Sequence, residues 1–126
     1  MKKVINSEKA PKAVGPYNQA IETGGLVFLS GQIPINPATG TIEAQTIEAQ
    51  TEQVLTNIGN VLKEAGCEYK HVVKTTCFLT DLVNFKSMNE IYKQYFNTDC
   101  PARSTIQVAG LPMGAMIEIE CIAVKS

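Results

Sequence analysis

The sequence has 126 residues, 44% of them hydrophobic and 18% charged, and a formal net charge of −1. That balance suits one domain, residues 1–126, with its own core, and it excludes an intrinsically disordered chain. It also carries no basic excess to favour nucleic acid or an anionic membrane as partner, and Arg103 is the single arginine beside ten lysines.

The opening residues, Met1 to Asn6, lack the apolar stretch of a secretory leader, and a short strand is expected at Lys3–Asn6. Tyr17–Thr23 and Leu26–Ser30 read as strands joined by Gly24-Gly25, a favoured two-residue hairpin turn. Gly31 to Gly40, with Pro34, Asn36-Pro37 and Gly40, reads as a loop. A direct repeat follows, Thr41-Ile-Glu-Ala-Gln and then Thr46-Ile-Glu-Ala-Gln, too short for a solenoid unit and placed at a helix entry.

From Thr46 to Ala65 the apolar period changes to three and four: Ile47, Val54, Leu55, Ile58, Val61, Leu62 and Ala65 make one stripe of a helix. Gly66 supplies the left-handed residue that ends it. Val72–Thr80 is a β-branched strand, and Asn84–Asn97 a second helix with Phe85, Met88, Ile91, Tyr92, Tyr95 and Phe96 on one side. Arg103–Val108 and Met116–Val124 complete the strands around a turn at Leu111 to Gly114. No apolar run reaches the ~18 residues of a membrane span.

In the last strand Ile117, Ile119, Cys121 and Ala123 alternate with Glu118, Glu120, Ile122 and Val124. The first set suits a face covered by helices. Two helices cover one face of such a sheet, so the face bearing Glu118 and Glu120 calls for a second copy of the chain.

Chemistry-bearing residues are few. His71 is the only histidine, which excludes a multi-histidine metal centre. The cysteines, Cys67, Cys77, Cys100 and Cys121, contain no Cys-x-x-Cys pair; Cys77 and Cys121 sit in apolar runs and read as core residues of a reducing, cytoplasmic protein. Arg103 offers a planar fork matched to a carboxylate, or serves as a structural ion pair. Glu118 is a carboxylate suited to acid–base work if half-buried, and otherwise a solvated surface acid. Tyr17 in Gly15-Pro16-Tyr17 either meets a ligand or packs. Ser30-Gly31 brings backbone amides close to a ligand where no side chain intervenes.

Gly15-Pro16-Tyr17-Asn18-Gln19-Ala20, Leu29-Ser30-Gly31-Gln32-Ile33-Pro34 and Pro101-Ala102-Arg103-Ser104-Thr105 resemble motifs of the RidA/YjgF family, as do Val108-Ala109-Gly110-Leu111-Pro112 and Ile117-Glu118-Ile119-Glu120. Their order spans the chain from Lys3 to Lys125. The resemblance implies an α+β, chorismate-mutase-like fold: a mixed sheet with two helices on one face, assembled as a homotrimer around a central β-barrel. It further implies a cofactor-independent 2-iminobutanoate/2-iminopropanoate deaminase. Such an enzyme hydrolyses imino acids or their enamine tautomers, such as 2-aminoacrylate, to 2-oxo acids and ammonia. These substrates leak from pyridoxal-phosphate-dependent dehydratases, and the clefts lie between subunits.

By the same resemblance Arg103 clamps the substrate carboxylate, and Glu118 polarises the attacking water. Tyr17, Ser30, Gly31 and Thr105 line the cleft. Many deaminase members have cysteine where this chain has Thr105, so no catalytic thiol stands at that position. Two alternatives of other classes remain: a regulatory protein that binds small carboxylates without turnover, and a ribonuclease or translation inhibitor. The lone arginine and single histidine weigh against the latter.

Overall fold

In chain order the protein forms β1 (Lys3–Ile5), β2 (Ala20–Thr23), β3 (Leu26–Gln32), α1 (Ile47–Glu64), β4 (Val72–Leu79), α2 (Phe85–Tyr92), β5 (Ala102–Gln107) and β6 (Ile117–Val124). The computed structural model describes residues 1–125. The strands make one six-stranded mixed sheet in the order β1-β2-β3-β6-β4-β5. β4 and β5 run parallel, joined through α2, and every other neighbouring pair is antiparallel.

The strand that closes the chain therefore lies inside the sheet, between β3 and β4. Its alternation is the expected one. Ile117, Ile119, Cys121 and Ala123 are buried together with Val54, Leu55, Ile58, Val61 and Leu62 of α1 in one core. α1 packs on β3, β6 and α2, so both helices share one side of the sheet. Burying each of these large aliphatic side chains stabilises the fold by about 1.5–3 kcal/mol before the entropy of ordering is subtracted.

Local chemistry sets the ends of α1. The Thr46 hydroxyl accepts from Ala49 N at 3.1 Å, and Glu48 and Lys63 complement the helix dipole. At the other end Gly66 takes φ 78°, Gly66 N reaches Lys63 O and Cys67 N reaches Leu62 O, a Schellman closure. The two copies of the pentapeptide part company here. The second starts the helix, while Thr41 in the first bridges to Asn36 in the preceding loop.

Three expected boundaries move by more than one residue. β2 starts at Ala20 rather than Tyr17, because the buried Gln19 side chain is engaged with the N-terminal loop: its Oε1 accepts from Ser7 N at 2.6 Å and its Nε2 donates to Pro11 O at 2.8 Å. β3 runs through Gly31 to Gln32, with a bulge between Leu29 and Gln32 that re-aims the chain. α2 stops at Tyr92 instead of Asn97, and the chain continues in turns that carry Tyr95 to Glu52 of α1. The loop after β3 is pinned by the fully buried Asn57, whose amide donates to Ile33 O at 3.3 Å and Ile35 O at 2.9 Å.

The side of the sheet away from the helices carries Leu26, Phe28, Phe78, Ile106, Ile122 and Val124 among Lys74, Glu118 and Glu120. Phe28 and Ile106 are 40% and 45% exposed.

The repeat gives a direct test of helix capping. Thr46→Ala lowers unfolding free energy in urea by about 1 kcal/mol, whereas Thr41→Ala, at the same place in the first copy, changes it by less than about 0.5 kcal/mol.

Candidate functional site

Register through β4 decides where the candidate residues point. Arg103 lies opposite Thr75, whose side chain is fully buried on the helix side, while Glu118 lies opposite Phe78 on the other side. The two residues with most chemistry therefore occupy opposite faces of one sheet. Each has its own groove, and the two grooves share no residue.

Arg103 stands on β5, the sheet edge, above α2. Its Nη1 donates to Asn89 Oδ1 at 2.7 Å, and its guanidinium lies 4.7 Å from the centre of the Tyr92 ring and 5.4 Å from that of Phe85. Phe85, Asn89 and Tyr92 are spaced by four and three, so one face of α2 presents all three. Tyr92 is itself fixed, its hydroxyl 2.7 Å from that of Thr75. Among the described residues no carboxylate comes within 4.0 Å of Arg103. Its charge is held in place by neutral groups and a π face, and none of them cancels it.

Thr105 follows on the same face, opposite Cys77; its buried Oγ1 finds no nitrogen or oxygen partner among the described residues. Burial pushes the Cys77 thiol up to about 11 even though the Arg103 charge pulls it down, so this thiol is a packing group.

The second groove brings together Tyr17, Gly31 and Glu118, with Val14, Pro112 and Met113 along its rim. The Glu118 carboxylate stands over Gly31 so closely that a Cβ there would collide with Oε2. Any side chain at Gly31 would have to displace that carboxylate. Burial raises the Glu118 carboxyl above the ordinary carboxylate range, and the neighbouring Glu120 charge adds to it. Tyr17 is half exposed, and Val14 N donates to its hydroxyl at 3.4 Å.

Ser30 joins two segments. Its hydroxyl donates to Asn18 O at 2.6 Å and its amide to Gln19 O at 2.9 Å, tying the Tyr17 loop to β3. His71 caps a 3-10 turn at Tyr69–His71 by accepting from Glu68 N at 2.8 Å. Among the described residues no three His, Cys, Asp or Glu side chains converge as a metal site.

Sequence reasoning missed Asn89 and Met113. For Asn89 the signal was present: it shares the helical face of Phe85 and Tyr92. Met113 gave none, since its left-handed backbone (φ 58°) in a Pro-Met-Gly turn is a property of the folded loop.

A mixed sheet backed by two helices, an edge arginine without counter-ion among the described residues and a half-buried carboxylate over a glycine define an α+β scaffold with two charged grooves. A family model described as Endoribonuclease L-PSP matches residues 7–125, and the chain belongs to that family, the RidA/YjgF group whose motifs it carries. It is 57% identical over 97% of its length to the Arabidopsis thaliana protein called Reactive Intermediate Deaminase A, chloroplastic, spanning 65% of that relative. It is 45% identical over 99% of its length to the human 2-iminobutanoate/2-iminopropanoate deaminase, spanning 91% of it. Among solved structures, Escherichia coli TdcF with bound serine superposes with a TM-score of 0.93 at 43% identity, over 98% of this chain and 99% of that one. No helix among the described residues is long and apolar enough to cross a membrane.

The raised Glu118 carboxyl has a consequence for stability. Folding favours its protonated form, so the group weakens the fold as pH rises above its ordinary value of 4.5. Glu118→Gln accordingly raises the thermal midpoint at neutral pH, and the gain vanishes as pH falls through the carboxylate range; thermal melts of both proteins across pH check this.

Proposed function

We propose that this protein is a cofactor-independent imine deaminase, converting 2-imino acids such as 2-iminobutanoate and 2-iminopropanoate, with water, to 2-oxo acids and ammonia. The observation that carries the reading is Arg103, oriented by Asn89 and Tyr92 yet free of any carboxylate partner among the described residues. A guanidinium held this way suits the carboxylate of a 2-imino acid. The names of the Arabidopsis and human relatives support the same activity.

In this reading the active site is assembled between copies of the chain. The Arg103 groove of one protomer meets the Glu118 groove of the next, and the apolar open sheet faces turn inward. Contact between two different patches is head-to-tail, and with a threefold rotation it closes into a ring. The reading adopts a homotrimer of single-domain protomers whose sheets line a central barrel. Arg103 fixes the substrate carboxylate, with Thr105 beside it, and Tyr17 and Gly31 shape the opposite wall.

Glu118 holds the water that adds to the imine carbon and takes its proton. The same carboxyl then hands that proton to the carbinolamine nitrogen and takes up the hydroxyl proton as the C–N bond breaks, so that the 2-oxo acid and ammonia leave. A carboxyl with a raised pKa suits both steps, and such general acid–base help is worth about 10²–10⁴ in rate. Positioning the carboxylate and the water in one cleft supplies the rest. The imines come from pyridoxal-phosphate-dependent serine and threonine dehydratases. The four thiols are free, which suits the reducing cytoplasm. RNA cleavage, which the family model's description raises, fits less well: Arg103 is the chain's one guanidinium for phosphate contacts.

Added to a threonine dehydratase reaction, the protein speeds release of 2-oxobutanoate and ammonia. Arg103→Ala removes that acceleration, with a loss of roughly hundredfold or more in kcat/KM, and Arg103→Lys recovers only part of it. An Arg103→Ala protein as active as wild type contradicts the carboxylate clamp.

A further inference from the structure

The groove around Arg103 contains two side-chain acceptors of different charge. Asn89 Oδ1 takes Arg103 Nη1 at 2.7 Å. Glu90, next in sequence and lining the same groove, is turned to Lys93, its Oε2 2.9 Å from Nζ. The acid is thus neutralised by a lysine, and the arginine receives the amide.

This division has a physical reason. A guanidinium needs an acceptor to hold its plane in one orientation, because its long stem otherwise samples many rotamers. A carboxylate in that place would hold the plane equally well and also neutralise it, leaving an internal ion pair with little attraction for a second anion. An amide oxygen fixes the plane and leaves the charge. The Tyr92 ring face acts in the same sense: it supports the cation from one side, and its hydroxyl is tied to Thr75. Among the described residues Asn89 is the only hydrogen-bond acceptor of the Arg103 side chain, so most of its donors remain for a ligand.

We propose that Asn89 is the positioning residue of the carboxylate site, and that its neutrality reserves the Arg103 charge for the substrate. The proposal rests on the deaminase reading for the identity of the ligand, but not for the existence of an anion site. It makes an ordering that a merely structural role reverses. If Asn89 only bolts α2 to β5, Asn89→Asp, which keeps the shape and the acceptor, is mild and Asn89→Ala is worse. If Asn89 keeps the arginine available, Asn89→Asp is the worse of the two, although it strengthens the bolt.

The test titrates 2-oxobutanoate into the full-length protein by calorimetry for wild type, Asn89→Asp and Asn89→Ala, with a thermal melt of each. The expected result is a melting midpoint for Asn89→Asp equal to or above that of wild type, with affinity weaker by about tenfold or more. Asn89→Ala falls between the two in affinity, losing orientation but not charge. Turnover of dehydratase-derived imine follows the same order. Asn89→Asp binding as tightly as wild type, or more tightly than Asn89→Ala, overturns the proposal. Wild-type protein that binds 2-oxobutanoate but never accelerates imine hydrolysis overturns the deaminase reading instead, and the order of the three affinities still decides the role of Asn89.

Discussion

The register of β6 is the constraint on which the rest of the structure depends. This strand lies between β3 and β4 with Ile117, Ile119, Cys121 and Ala123 against the helices and Glu118 and Glu120 on the other side. A slip by one residue would exchange the two sets. Two carboxylates would then sit under α1 and four apolar side chains would leave the core, at a cost of several kcal/mol per buried charge. No alternative pairing competes with that. The same register that secures the core also stands Glu118 over Gly31, so the fold and the candidate site share one determinant.

From this follows the division of the site. β4 carries the register from β6 to the edge strand β5, and an odd number of positions separates Thr75, opposite Arg103, from Phe78, opposite Glu118. One protomer presents its cation above α2 and its carboxylate on the open face. Neither groove alone contains both Arg103 and Glu118. The open face, with Phe28, Ile106 and Val124 exposed, supplies the apolar surface that an association between copies needs. In the proposed ring, the edge of one sheet meets the open face of the next, and the same contact completes the chemistry and covers the apolar surface.

Much of this was legible in the sequence wherever the cause was local. The stripe of α1, its end at Gly66 and the alternation of β6 are periodicities that any short window contains. The hairpin glycines, Gly24 and Gly25, take the positive φ that their turn requires. What escaped depends on contacts distant in sequence. Tyr17 to Gln19 have strand propensity, yet Gln19 is committed to Ser7 and Pro11, and the segment forms a loop. Tyr95 and Phe96 keep the helical spacing of α2 beyond its end, but Tyr95 turns to Glu52 and packs edge-on against Tyr69. Arg103 and Glu118 stood out as residue types. That they face apart required the pairing of β5, β4 and β6, which no single segment encodes.

The central claim is that a working site takes its arginine from one protomer and its glutamate from another. Its most direct test mixes Arg103→Ala and Glu118→Gln chains, each inactive alone, in assemblies purified through two different tags. In a closed head-to-tail trimer that contains both chains, one cleft in three pairs an intact Arg103 with an intact Glu118, so imine hydrolysis recovers to about a third of the wild-type rate. Mixed assemblies that contain both chains and remain as inactive as either parent contradict it.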